Sequence, residues 1–372
     1  MLSEFRFPHR TATLRRLLSE TEHPVDAMLV TNIENARYLT GFTGSNAAVL
    51  ITPDDAVFIT DGRYTLQAST EVTGFRHYIP AVGTRMEEAI VRQAKELGVR
   101  RIGIETDSMF LTSYQRLTGG LDGVSELIPR TDVLAALRRV KDDEEIGAIR
   151  RAIAAADDCF EHLRSFIRPG LTERDIAWEI EVFLRRERGA SKLGFDPIIG
   201  SGPNSALIHG RPGDRVVGSS GGTEFVLCDY GCTIDGYNSD ITRTFFVGGE
   251  PTKQQAEMYS LVRQALEIAT AAIRPGMAGR EIDKVARDFL TEAGYGEAFA
   301  HGLGHGLGRL VHDHPALGTT SEVTLEPGMV LTVEPGIYLE GVGGVRIEDN
   351  VLVTEAGCEV LTRSTKEPII LR

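Results

Sequence analysis

From residue 27 to about residue 130 the apolar positions fall in short, uninterrupted runs. Ala27-Met28-Leu29-Val30 and Ala47-Ala48-Val49-Leu50-Ile51 are two, and Val57-Phe58-Ile59 follows a Pro-Asp-Asp turn. Such runs, rich in β-formers and bounded by turn residues, predict strands. Between them, Thr84 to Leu97 predicts a helix. Thr84 and Glu87 would form its capping box, Met86, Ile90, Ala94 and Leu97 recur at helical spacing, and Gly98 would stop it. This region reads as α/β. After Thr131 the pattern lengthens: Ile146, Ile149, Ile153, Phe160, Leu163 and Ile167 step by three, four or seven residues, as in long amphipathic helices. The change predicts two domains, residues 1–131 and residues 132–372.

The second region repeats itself. Ile167-Arg168-Pro169-Gly170-Leu171, running on through Ile176 to Phe183-Leu184, is echoed by Ile273-Arg274-Pro275-Gly276-Met277, running on through Ile282 to Phe289-Leu290. Leu207-Ile208-His209 is echoed by Leu310-Val311-His312, and Val226-Leu227-Cys228-Asp229 by Val330-Leu331-Thr332-Val333-Glu334. Three ordered echoes at nearly one offset predict a pseudo-duplicated α+β domain with a cleft between its halves, where small-molecule sites preferentially sit.

Composition narrows the function. At 372 residues, 42% hydrophobic and 25% charged, the chain has the make-up of an ordinary globular protein with more than one core. A net charge of −13 disfavours nucleic acid and anionic membrane surfaces as partners. The opening residues Met1 to Pro8 lack a secretory apolar stretch, and no run approaches a membrane span, so a cytoplasmic location is expected. Four cysteines make no disulfide framework, and Cys228 and Cys232 read as reduced strand residues.

The chemistry concentrates in two acid-bearing hairpins. If Asp235-Gly236 is a two-residue loop, Asp229 faces Thr242, and Asp240 lies diagonally on the same face as Asp229. Two carboxylates held together repel unless they share a proton or a cation. Asp235 itself reads as a turn cap. The partner hairpin carries Glu334 and Glu348, whose same-face placement requires an odd-numbered loop or a bulge among Glu340 to Gly344. Arg346 and Glu348 alternate with Val345 and Ile347, so Arg346 could orient a neighbouring carboxylate.

His301 to Gly308 contains two histidines four apart, but Gly302 occupies the position of the zincin glutamate and four glycines disfavour a helix. The segment reads as backbone approaching a crowded site, with one histidine as ligand. His9, His23, His77 and His162 read as packing or surface residues. Four carboxylates and an imidazole suit two hard divalent ions sharing bridging groups and activating water, which points to amide hydrolysis.

Asp229-Tyr230-Gly231, Ser239-Asp240-Ile241-Thr242-Arg243-Thr244, Gly304-His305-Gly306-Leu307-Gly308 with His312, Glu334-Pro335-Gly336 and Arg346-Ile347-Glu348 resemble the pita-bread metallopeptidases of the aminopeptidase P and prolidase branch. The resemblance extends over nearly the whole chain, including Arg138-Arg139-Val140-Lys141 with Glu145-Ile146. It implies a creatinase-like N-terminal α/β domain ahead of a pita-bread α+β catalytic domain with an internal pseudo-twofold. It also implies that Asp229, Asp240, His305, Glu334 and Glu348 bind two metal ions, Mn²⁺ first with Co²⁺ or Zn²⁺ as alternatives, Asp240 and Glu348 bridging. Glu334 would shuttle the proton of the attacking water, His209 and His312 would assist the tetrahedral intermediate, His301 would line the proline pocket, and Arg346 would orient carboxylates.

The implied reaction is release of the N-terminal residue from a peptide with proline second, by a homodimer. A prolidase is the alternative, although Tyr38 to Ala47 lacks the Asp and Arg pair that some bacterial prolidases bring in from this domain. A non-catalytic binding module is a remote third. The chain departs from the family pattern at Asp313, where glutamate is usual, and at Ile208, where proline often precedes the histidine.

Overall fold

A computed structural model describes residues 6–20 and 24–372, the side chains of Arg6 and Pro8 excepted; His23 and the first five residues lie outside the described set. The chain divides between Leu137 and Arg138. The division falls beyond the expected 131 because Leu134 is buried in the first unit's core and Leu137 packs against it.

In the first unit six strands form one mixed sheet in the order Arg76–Tyr78, Ala56–Thr60, Ala47–Ile51, Ala27–Val30, Arg101–Glu105, Glu126–Arg130. The three aliphatic runs are these central strands, and alternation explains why they read as uninterrupted. Met28 and Val30 enter one core with Val49 and Phe58, while Ala27 and Leu29 enter another with Leu50 and Ile59 on the opposite face. The helix expected from Thr84 spans Met86–Glu96, and the capping box is not formed. Arg85 is the N-cap without a side-chain bond, the Thr84 amide closes a turn onto Ala81, and the Glu87 carboxylate is drawn to Ser113. Gly98, at φ +66°, does end the helix, donating to the carbonyl of Lys95.

The second unit shows its duplication bond for bond. The long helix Asp143–Phe166 leads through Ile167 to Glu173–Val182, and Lys253–Ala272 leads through Ile273 to Gly279–Glu292. Gly170 and Gly276, at φ +97° and +89°, make equivalent turns, their amides donating to the carbonyls of Val217 and Leu325. Leu171 in turn accepts from Val217, and Met277 from Leu325. The helices cover sheets whose central strands are Glu224–Tyr230 with Ile241–Val247 in one half, and Val330–Val333 with Asp349–Thr354 in the other. Among the described residues, no helix is long and apolar enough to cross a membrane.

Candidate metal centre

Both acidic hairpins follow from turn chemistry. Asp235 and Gly236, at φ +52° and +79°, form the two-residue turn that brings Ile234 opposite Tyr237. The same register continues into the longer strands and sets Asp229 opposite Thr242, with Asp240 on the diagonal. The Asp235 carboxylate pairs with Arg151 rather than capping the turn. In the second hairpin Leu339 pairs with Gly343 across a three-residue loop, so Gly336 faces Arg346 and Val333 faces Asp349. The odd loop supplies the parity that puts Glu334 and Glu348 on one side. Val345 and Ile347 enter the hydrophobic core, which leaves Arg346 and Glu348 turned the other way.

His305 arrives on the short strand Gly304–Gly306. Gly304 is required there: a Cβ would lie 2.1 Å from the carbonyl oxygen of Thr332. His305 Nδ1 donates to its neighbour's carbonyl at Gly306 (3.0 Å), which turns Nε2 toward Glu334 (3.3 Å) and Asp240 (3.5 Å). Ligating atoms of Asp240, His305 and Glu348 all lie within 4.8 Å of one another.

Electrostatics set these acids apart. Burial pushes the carboxyls of Asp240 and Glu348 well above their usual range, and repulsion from the other acids adds to it. Asp229 is also raised by burial, against the pull of Arg346. Glu334 is the exception: burial opposes its charge, but bonding and charge from His305, with help from His301 and Arg346, bring it down to about 2. Each held carboxylate is gripped on one oxygen. Arg346 Nη2 bonds Asp229 Oδ2 and Thr242 donates to Glu348 Oε2 (2.7 Å), while Asp229 Oδ1 and Glu348 Oε1 are buried without a partner. Orphaned acceptors facing mutually repelling acids fit divalent cations held by hard oxygen donors and one imidazole.

Beside this cluster His209, His301, His312, Glu334 and Arg346 line one cavity of about 190 Å³ with Ile208. His301 is fixed at both ring nitrogens, by the Gly302 carbonyl (2.8 Å) and the Tyr338 hydroxyl (3.0 Å), and the rings of His305 and His312 are 4.4 Å apart. Burial lowers the imidazole pKa of both His301 and His312. All nine candidate residues are thus in one region. His77 and His162 are elsewhere, bonded to Val72 and Glu179, and His9 is exposed.

Three residues assigned no role from the sequence take part. Tyr338 accepts from Arg346 Nη1 (2.7 Å), and Thr242 and Thr332 hold Glu348 and Glu334. Strand parity was the available signal, since Thr332 is two residues from Glu334 and Thr242 two from Asp240. Asp313 has a structural job: its buried carboxylate pairs with the equally buried Arg138 (2.9 Å), anchoring the chain just after His312.

Comparison with known proteins agrees. Residues 147–355 match metallopeptidase family M24, and residues 10–140 match the creatinase/prolidase N-terminal domain. An uncharacterised peptidase of Bacillus subtilis, YqhT, is 42% identical over 93% of this chain and 96% of its own length. The solved structure of an Xaa-Pro dipeptidase from Bacillus anthracis shares 42% identity at a TM-score of 0.92, covering 98% of this chain and 99% of that one. That of an X-Pro aminopeptidase from Thermotoga maritima shares 36% at 0.86, covering 96% and 100%. The chain is therefore a metallopeptidase of family M24 with a creatinase-type N-terminal domain and a pita-bread catalytic domain.

Proposed function

We propose that the protein is a metal-dependent Xaa-Pro aminopeptidase, removing the first residue of peptides that have proline second. Asp229, Asp240, His305, Glu334 and Glu348 would hold two divalent ions, Mn²⁺ foremost, which suit their hard oxygen donors and one imidazole. Such ions, when bound, polarise the scissile carbonyl and make water a nucleophile near neutral pH. The protein's own groups do the rest. Glu334 takes up and passes on the proton of the attacking water, with Arg346 adding positive charge near it. His209 and His312 on the cavity wall donate to the developing oxyanion and to the new amine. His301, braced by Tyr338, borders the proline ring.

The observation that carries the aminopeptidase reading is the state of the cavity's cation. Among the described residues lining it, Arg346 is the only side chain with a permanent positive charge, and it is committed to Asp229, Thr242 and Tyr338. A dipeptidase must neutralise its substrate's free carboxylate, and among the described residues no uncommitted arginine or lysine lines this cavity. The second reading, an Xaa-Pro dipeptidase, is favoured by the name of the Bacillus anthracis neighbour. A cytoplasmic location belongs to the proposal and is supported by four cysteines that are all free thiols. A homodimer is proposed on the family resemblance.

The test pairs an Xaa-Pro dipeptide with an Xaa-Pro-Xaa tripeptide, each offered to Mn²⁺-loaded and chelator-treated protein. Metal-dependent cleavage of the tripeptide with little action on the dipeptide is expected. Dipeptide preference would make the protein a prolidase, and cleavage of neither would overturn both readings.

A further inference from the structure

We infer that two buried threonine hydroxyls, Thr242 and Thr332, are positioning groups that fix which oxygen of Glu348 and of Glu334 is committed within the protein and so orient both glutamates for metal. The inference rests on the metal-site reading above and goes beyond it to the control of ligand geometry.

A hydroxyl has one proton, so its direction is decided by what else it must accept. Thr242 Oγ1 receives the Nε–H of Arg346 at 3.0 Å and lies 2.7 Å from Glu348 Oε2. In the deprotonated state that binds metal the Glu348 carboxylate can only accept, and Arg346 can only donate, so the Thr242 proton points at Glu348. Thr332 has the same arrangement on the other side. Its Oγ1 accepts the backbone N–H of His305 (3.0 Å) and donates to Glu334 Oε1 (3.0 Å). Both threonines are fully buried, at 0% exposure, so water has no access to replace either bond.

The consequences are geometric. With Oε2 held, Glu348 presents Oε1, the buried oxygen that has no partner. Thr332 ties one ligand's main chain to another ligand's carboxylate, so the spacing between His305 and Glu334 is set through a single oxygen atom. Arg346 passes through the same device. It bonds Thr242 through Nε, Asp229 through Nη2 and Tyr338 through Nη1, and Tyr338 in turn contacts His301. Replacing either threonine by valine preserves shape and leaves a buried donor and a carboxylate oxygen facing a methyl group.

The experiment strips the full-length protein with a chelator and titrates Mn²⁺ back calorimetrically into wild type, Thr242→Val, Thr242→Ser, Thr332→Val and Thr332→Ser. Loss of an outer partner of a metal ligand typically weakens binding about 10- to 100-fold, and each valine variant is expected to fall in that range. Each serine variant, which keeps the hydroxyl, is expected to recover most of the affinity. A purely packing role would predict the reverse order, since valine matches threonine in volume and serine does not. Folding is checked by circular dichroism, and because the two threonines lie on different strands, misfolding of one valine variant leaves the other to decide. Wild-type uptake of Mn²⁺ matched by a folded valine variant overturns the inference alone. Absence of uptake by wild type overturns the metal-site reading and the inference with it.

Discussion

Glu348 and Asp349 are neighbours in sequence, both carboxylates and both 1% exposed, yet they belong to different chemistry. The Asp349 side chain is fully paired: Arg243 Nη2 bonds one oxygen at 2.7 Å and Lys366 Nζ the other at 2.7 Å. Glu348 faces the other way, toward Asp240, Asp229 and Glu334, with one oxygen on Thr242 and one on nothing. A buried charge that is paired and hydrogen-bonded holds structure together. A buried charge that repels its neighbours is tolerable only if something binds there. Two adjacent residues, Glu348 just before the strand Asp349–Thr354 and Asp349 at its start, thus separate a functional side from a structural one, and the difference is read from satisfaction of lone pairs rather than from burial.

That comparison breaks most visibly by exchanging the two residues' fates. Glu348→Gln is expected to cut peptidase activity by more than the roughly 100-fold upper range for outer partners, while the chelator-stripped protein melts no lower than stripped wild type. Steady-state kinetics and a melting curve check both halves. Asp349→Asn should do the opposite on stability, costing about 3–5 kcal/mol in urea denaturation because Arg243 is left buried without its counter-charge. Lys366→Met removes the more exposed of the two partners and should cost less than about 1 kcal/mol in the same measurement.

Acidity sharpens the contrast. The carboxyls of Asp240 and Glu348 lie well above their unfolded values, so the metal-free fold holds protons that the unfolded chain releases. Their contribution to stability is present below an unfolded value near 4 and is lost as pH rises through the raised folded values. Metal binding requires the deprotonated ligands and strengthens in the same direction. The gap in melting temperature between Mn²⁺-loaded and stripped protein should therefore widen steadily from pH 5 to pH 8.

Much of this was legible because it depends on local rules. The Asp235-Gly236 turn alone fixed a register that carries through to Asp229 opposite Thr242, and the echoes of Ile167 and Ile273 marked real equivalent turns. What stayed hidden depends on partners far apart in sequence or on a loop's length. Glu334 and Glu348 share a side only because Leu339 and Gly343 close a three-residue loop. Thr84 and Glu87 satisfy the local pattern of a capping box, but a turn onto Ala81 and a tertiary contact with Ser113 win. No spacing rule links Arg138 to Asp313, 175 residues away, so the shorter acid beside His312 looked like a change in the site when it is an anchor behind it.

The most direct test is metal stoichiometry joined to activity. The protein is stripped with a chelator, Mn²⁺ is titrated back, and bound ions per chain are counted by elemental analysis while hydrolysis of an Xaa-Pro-Xaa tripeptide is followed. The account predicts that about two ions per chain restore cleavage and that Glu348→Gln binds fewer. Full activity in the stripped protein, or no ion retained by wild type, would contradict it.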